Sequence, residues 1–182
     1  YAKRMLEMQT RQYNKAYGYE YICVTPVNLY GKYDNFDLKG GHFIPMIMHR
    51  FYKELQFRHY NPGGNFTVYG TGKPLRQFLY AGDFAKIILE ILFNYNGSER
   101  NIICCNDNEW TIKDVFLKLI SVMEIQENEL YWLTEMSDGC MKKTVSNKKL
   151  KCILNNFNFV DLNEGLKITY EWFKKNYKNI RC

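Results

Sequence analysis

Apolar positions at 5, 8, 13, 16 and 17, set among strong helix formers and stopped by Gly18, predict a helix over Lys3 to Tyr17. Tyr21 to Thr25 is a short β-branched and aromatic run closed by Pro26, the pattern of a buried strand. Asn28 to Gly41 mixes three glycines with polar residues and predicts a long ordered loop, the kind that usually carries function. Helical spacing returns from Phe43 to Phe57, with Pro45 in the first turn, where proline is tolerated. Asn61 to Asn65 predicts a turn, Phe66 to Tyr69 a strand, Gly70 to Pro74 a second glycine-bearing loop, and Phe78 to Tyr80 another strand. Asp83 opens a helix to Phe93 with Ile87, Ile88, Ile91 and Leu92 on one face. Beyond it come a strand at Asn101 to Cys105 and a helix from Thr111 to about Met123, begun by a capping box with Asp114 in the acidic place. A strand at Leu130 to Leu133, a turn at Ser137 to Gly139, a short helix at Asn147 to Leu154 and a last amphipathic helix at Leu162 to Tyr177 complete the order.

Helices alternating with strands argue for an α/β chain with a partly parallel sheet. Both glycine-bearing loops follow strands, where open α/β sheets bind ligands. The 182 residues are 46% hydrophobic and 24% charged, enough to bury a core and too apolar for disorder. No run of about 18 uncharged apolar residues suggests a membrane span. The six cysteines, at 23, 104, 105, 140, 152 and 182, form no Cys-x-x-Cys pair, which fits neither a zinc site nor a disulfide frame. Tyr1 to Thr10 is charged and unlike a signal peptide, so a cytoplasmic protein is expected. There is no initiator methionine and no capping residue before the first helix, which sets the expectation of a piece of a longer polypeptide.

The net charge is +6, but the densest cations (Lys142-Lys143, Lys148-Lys149-Lys151, Lys174-Lys175) are separated by turns. Nucleic-acid binding needs clustered charge with stacking aromatics, so it is not expected. A few cations facing an anionic ligand such as a nucleotide diphosphate remain compatible with the pattern.

Four constellations then become specific. Tyr1-Ala2-Lys3 opens a helix; Pro26-Val27-Asn28-Leu29-Tyr30-Gly31 precedes Asp34-Asn35-Phe36 and His42-Phe43-Ile44-Pro45; Tyr69-Gly70-Thr71-Gly72-Lys73-Pro74-Leu75-Arg76-Gln77-Phe78 forms the second loop; Ser137-Asp138-Gly139-Cys140-Met141-Lys142-Lys143 follows the late turn. This order resembles the C-terminal part of extended short-chain dehydrogenase/reductases acting on nucleotide sugars. Within them it is most similar to the GDP-L-fucose synthase family, from Lys3 to the last helix. The resemblance implies a Rossmann-type α/β fold with a smaller α/β substrate domain. Residues 1–31 and 77–105 would supply mainly the last Rossmann elements, and 32–76 and 106–182 mainly the nucleotide-sugar-binding domain. It further implies NADPH as cofactor, a GDP-sugar substrate, 3,5-epimerisation with 4-reduction, and a homodimer using the Lys3 helix.

By that resemblance Lys3 is the lysine of a Tyr-x-x-x-Lys pair, holding the nicotinamide ribose and lowering the tyrosine pKa. Its tyrosine would lie two positions before Tyr1. Tyr1 cannot replace it, because residues two apart point to different sides of a helix. Pro26, Val27, Asn28 and Leu29 would line the nicotinamide end of the cofactor. His42 would contact the cofactor region and act as the acid of the epimerisation, since an imidazole exchanges protons near neutral pH. Arg50, Tyr69, Arg76, Asp138 and Lys143 would contact substrate, the arginines and lysine through phosphate oxygens, with Lys142 a weaker candidate. His49 and His59 match no motif position. Lys32-Tyr33 stand where the family commonly has Pro-His, and Tyr69 where it has Trp. The glycine-rich dinucleotide loop and the catalytic serine, tyrosine and cysteine are absent from the 182 residues. Gly70-Thr71-Gly72 does not replace that loop, because it leads to Pro74 and a strand rather than into a helix. The fragment alone is expected to be inactive. Another nucleotide-sugar epimerase or dehydratase, or a non-catalytic GDP-sugar-binding remnant, are the alternatives left open.

Overall fold

The computed structural model describes residues 1–58, 66–154 and 156–182. The turn expected at Asn61 to Asn65, and His59, lie outside the described residues. Six helices and nine short strands are seen among the described residues, in the order α1 (Ala2–Tyr17), β1 (Cys23–Pro26), β2 (Asn28–Tyr30), α2 (Phe43–Arg58), β3 (Phe66–Tyr69), β4 (Leu75–Arg76), β5 (Phe78–Tyr80), α3 (Ala81–Asn94), β6 (Asn101–Cys104), β7 (Trp110–Thr111), α4 (Ile112–Val122), β8 (Leu130–Leu133), β9 (Lys142–Lys143), α5 (Lys148–Ile153) and α6 (Leu162–Asn176).

The helix ends form where local chemistry asks for them. Gly18 closes α1 in the left-handed region at φ 69°, its N–H donating to the Asn14 carbonyl. At α4 the Thr111 hydroxyl accepts from the Asp114 N–H and the Asp114 carboxylate accepts from the Thr111 N–H, which completes the expected capping box. Asp161 caps α6 by accepting from the Asn163 N–H. The start of α3 differs from expectation. The helix begins at Ala81, not at Asp83, and the Asp83 carboxylate is fully buried, where it accepts from the Val160 N–H at 2.7 Å. That acid is recruited to tie the segment before α6 onto α3, with Lys86 3.6 Å away as its counter-charge.

Three parallel pairs carry the sheet structure: β1 with β6, β2 with β5, and β3 with β8. In a small third-strand arrangement β4 lies between β7, antiparallel, and β9, parallel. β2 falls within what the sequence predicts as loop. It is three residues long, too short to show an alternating pattern. The loop that follows is ordered by its own side chains: Asp37 accepts from the Lys39 and Gly40 N–H groups, each at 2.6 Å. Tyr33 takes a positive φ of 65° there, and its ring packs on Trp172 at 4.8 Å.

Two apolar clusters form. The larger gathers Phe36, Ile44, Met48 and Phe51 with Phe78, Phe116, Leu119 and the α6 residues Leu166 and Phe173. The smaller gathers Leu79, Ile87, Ile91, Ile102 and Cys104 with Leu150 and Leu154. Burial in it pushes the Cys104 thiol up to about 12, so this cysteine is packing material rather than a nucleophile. No described helix is long and apolar enough to cross a membrane.

Close packing makes one position decisive. A Cβ on Gly165 of α6 would overlap the hydroxyl of Tyr30, which is 1% exposed and has no room to move. Gly165→Ala gains about 0.5–1 kcal/mol of helix preference but loses about 1–3 kcal/mol to overpacking. The overlap wins, so urea denaturation of this variant should show a lower midpoint; an unchanged or higher midpoint would contradict the packing.

Candidate functional site

The second glycine loop is shaped by what its glycines let in. Gly70 and Gly72 both hold positive φ, 85° and 73°. A Cβ on Gly70 would sit 2.5 Å from the Asp138 carboxylate, and one on Gly72 2.7 Å from the Trp132 ring. Thr71, between them, donates from both its N–H and its hydroxyl to the Asp138 carboxylate, at 2.7 and 2.5 Å. This clasp joins the loop to the turn at Ser137–Gly139, two segments far apart in sequence. The loop carbonyls of Gly72 and Pro74 accept from Lys113 and Ile112 at the start of α4. The first-turn amides of α4 are thus used within the fold.

Above the clasp is a cavity of about 260 Å³ lined by Asn28, Phe43, Tyr69, Pro74, Arg76, Phe78, Ile112, Ser137 and Asp138. Four of the residues singled out from the sequence, Asn28, Tyr69, Arg76 and Asp138, therefore meet in one place. Three larger concavities elsewhere on the described surface, such as that between Asn101 and Lys149, hold none of them. The nearer cavity is the one with convergent polar groups, and size alone does not identify a site.

The remaining candidates do not line it. Lys143 is the ladder partner of Arg76 across β4 and β9, so the two side chains leave the same face of the sheet on adjacent strands. Arg76 donates to the Leu75 carbonyl, and neither it nor Lys143 has a carboxylate partner among the described residues. Lys142, by contrast, pairs with Glu109 at 2.8 Å, and that contact holds the Glu109 carboxyl below its usual range. Of these two adjacent lysines, Lys143 is the one without a carboxylate partner among the described residues.

Arg50 does not line the cavity. It is half-buried, donating to the Thr67 carbonyl at 2.7 Å, with its guanidinium carbon 5.7 Å from the centre of the ring of Tyr69, which does line the cavity. Desolvation lowers its pKa. A cation under the ring face holds Tyr69 in place. Tyr69 is 57% exposed, so it is not a core aromatic. His42 stands one residue before α2 and one before the lining residue Phe43, with Nδ1 3.5 Å from Asp34 and a side chain 78% exposed. Lys3 is exposed on the first turn of α1. Pro26 ends β1 opposite Cys104, and the Val27 N–H donates to the Cys104 carbonyl. Asn28 Nδ2 donates to the Gln77 carbonyl at 2.8 Å. Leu29 pairs with Leu79. His49 is structural: its Nδ1 lies 2.8 Å from the Phe36 carbonyl and its ring packs on Phe173.

A model of the NAD dependent epimerase/dehydratase family matches residues 1–104. The chain belongs to that family. Curated relatives include GDP-L-fucose synthase of Dictyostelium discoideum, 37% identical across the whole of this chain and 55% of that protein. A probable GDP-L-fucose synthase of Drosophila melanogaster is 34% identical, again over the whole chain and 57% of that protein. The crystal structure of a GDP-L-fucose synthetase from Naegleria fowleri bound to NADP superposes with a TM-score of 0.90 at 38% identity, covering 100% of this chain and 57% of that one. The chain thus spans a little over half the length of the relatives it matches. The Rossmann-type α/β fold expected from the sequence is the fold of these neighbours.

Phe43, Pro74, Phe78 and Ile112 also line the cavity; the sequence gives them no site role, because apolar residues at element ends look like core, and it marks Ser137 only as part of a turn. The clasp gives a direct check. Thr71 lowers the Asp138 pKa, first through its hydroxyl and then through its N–H. A depressed carboxyl stabilises the fold at neutral pH, and that contribution is lost as pH falls through its own lowered value. NMR titration should therefore find Asp138 below the usual carboxylate value of about 3.9, and closer to it in Thr71→Val. Equal values in the two proteins would contradict the clasp.

Proposed function

We propose that this chain is the substrate-gripping part of a GDP-L-fucose synthase, which converts GDP-4-keto-6-deoxy-mannose by epimerisation at C3 and C5 and NADPH-dependent reduction at C4. The observation that carries this reading is the cavity that joins Asn28, Tyr69, Arg76 and Asp138, with Lys143 in register beside Arg76. Two unneutralised cations on adjacent strands suit a diphosphate, whose oxygens accept parallel charged hydrogen bonds. Asp138 is held as an acceptor and addresses hydroxyl or N–H donors of the ligand, since it would repel phosphate. Tyr69, steadied by Arg50, gives an aromatic face to the sugar or base.

The C4 ketone acidifies the protons on C3 and C5, and His42 at the head of α2 returns one of them. The residues present fit one end of the cofactor: Lys3 offers an ammonium for ribose hydroxyls, and the strand end Pro26–Leu29 offers backbone and the Asn28 amide oxygen. NADPH, when bound, supplies hydride to C4. The residues that would bind its pyrophosphate are not among the 182. We further propose that residues 1–31 and 77–105 belong mainly to the cofactor side and 32–76 and 106–182 mainly to the sugar side. The two apolar clusters support this division, with α5 packed on the cofactor side. A homodimer in the cytoplasm completes the proposal. Exposed Met5, Leu6 and Met8 on α1 and Leu89, Leu92 and Phe93 on α3 support it as apolar surface for a second copy. Nucleic acid is not a partner in this reading, since Lys142, Lys149 and Lys151 are each paired with an acid.

The test is turnover by the polypeptide as the organism makes it, followed by NADPH consumption and product analysis. Formation of GDP-L-fucose is expected, and Arg76→Ala should raise KM roughly tenfold to a hundredfold, the value of about 1.5–3 kcal/mol for a charged hydrogen bond. The 182 residues alone should bind GDP without consuming NADPH. Turnover by them alone, or a product formed with no net NADPH consumption, would contradict the proposal.

A further inference from the structure

Gln77 lies between Arg76 and Phe78 and is 3% exposed. A buried side-chain amide must satisfy both its donor and its acceptor ends, and this one places both ends on the backbone of Val145, with a further bond to Asn106. Its Nε2 donates to the Val145 and Asn106 carbonyls, each at 3.2 Å, and its Oε1 accepts from the Val145 N–H at 2.8 Å. The amide thus mimics one more rung of sheet, two residues beyond Lys143. The main-chain ladder between β4 and β9 is only two residues long, Leu75 with Lys142 and Arg76 with Lys143. A ladder that short holds weakly, and a slip of one residue would turn Lys143 to the opposite face and bring up Lys142 or Thr144 instead. Gln77 grips Val145 past the end of that ladder and so removes the slip. Its own carbonyl also accepts from Asn28 Nδ2, which orients a second wall of the cavity.

We propose that Gln77 is a positioning residue of the anion site: its buried amide locks β9 in the register that places Lys143 beside Arg76, and through that pair it sets the affinity for a nucleoside diphosphate. The inference rests on the reading of the cavity as a diphosphate site. Because Gln77 acts through Lys143, losing both costs no more than losing Lys143 alone.

The experiment is calorimetric titration of the natural polypeptide with GDP and with inorganic pyrophosphate at fixed ionic strength. The proteins are wild type, Gln77→Met, Gln77→Glu, Lys143→Ala and the Gln77→Met/Lys143→Ala pair. Gln77→Met should weaken both ligands by the same factor, roughly tenfold, and the double variant should bind about as Lys143→Ala does. Gln77→Glu keeps the size and the acceptor but loses both donor bonds; the same loss is expected, and it decides the matter if the Met variant does not fold. In the unmutated protein the Gln77 side-chain amide resonance should shift on pyrophosphate addition. Unchanged affinity in a folded Gln77 variant, losses that add, or an unmoved resonance would overturn the positioning role while leaving the site intact. A wild-type polypeptide that binds neither ligand would overturn the diphosphate reading itself, and this inference with it.

Discussion

Six consecutive residues, Leu75 to Tyr80, belong to both halves of the molecule at once. Leu75 and Arg76 form the centre of the small β7–β4–β9 sheet, and Phe78 to Tyr80 pair with β2. Strand alternation then sends Phe78 into the larger apolar cluster and its neighbour Leu79 into the smaller one. Both side chains are buried, at 4% and 1% exposure. Neither can leave its cluster without opening a void, which costs a few kcal/mol. The segment between the clusters is therefore pinned at two adjacent points, and Arg76 projects from the pinned end into the cavity. The position of that guanidinium is a consequence of core packing, not of the loop before it.

Several of the surface lysines are neutralised by short ion pairs. Glu109 takes Lys142, Glu99 takes Lys149 and Asp107 takes Lys151. The carboxylate nearest the cavity, Asp138, is occupied by Thr71. Arg76 lines the cavity and Lys143 pairs with it across β4 and β9, neither with a carboxylate partner among the described residues, and Asp138 beside them is fixed as acceptor. A ligand that carries phosphate at one end and hydroxyl or N–H donors at the other matches both. Exposed ion pairs of this kind contribute little stability; their consequence here is to decide which cations are left for an anion.

Most of the regular structure could be read from the chain because its signals are local. Helix α1 ends at a glycine in the left-handed region, α4 starts with a capping box, and α6 carries an acid at its N-cap, each legible in a few residues. The short strands β2, β4, β7 and β9 could not be read, since two or three residues show no period and exist only through partners far along the chain. Asp83 was misplaced for a related reason: its side chain serves Val160, 77 residues away, rather than its own helix. The site divides in the same way. Motif spacing pointed to Asn28, Arg76 and Asp138, but only the register of β9 shows why Lys143 rather than Lys142 stands beside Arg76. Gln77 falls inside a quoted motif yet gets no role from it, because a buried amide gripping a distant backbone looks in sequence like any polar residue before a strand.

The measurement that bears most directly on the account is a crystal structure of the natural polypeptide with GDP. The diphosphate is expected between Arg76 and Lys143, with the rest of the ligand running past Tyr69 and Asp138. A diphosphate bound elsewhere, for instance against Lys148 and Lys149 beside β6, with the Arg76 cavity left to solvent, would contradict it.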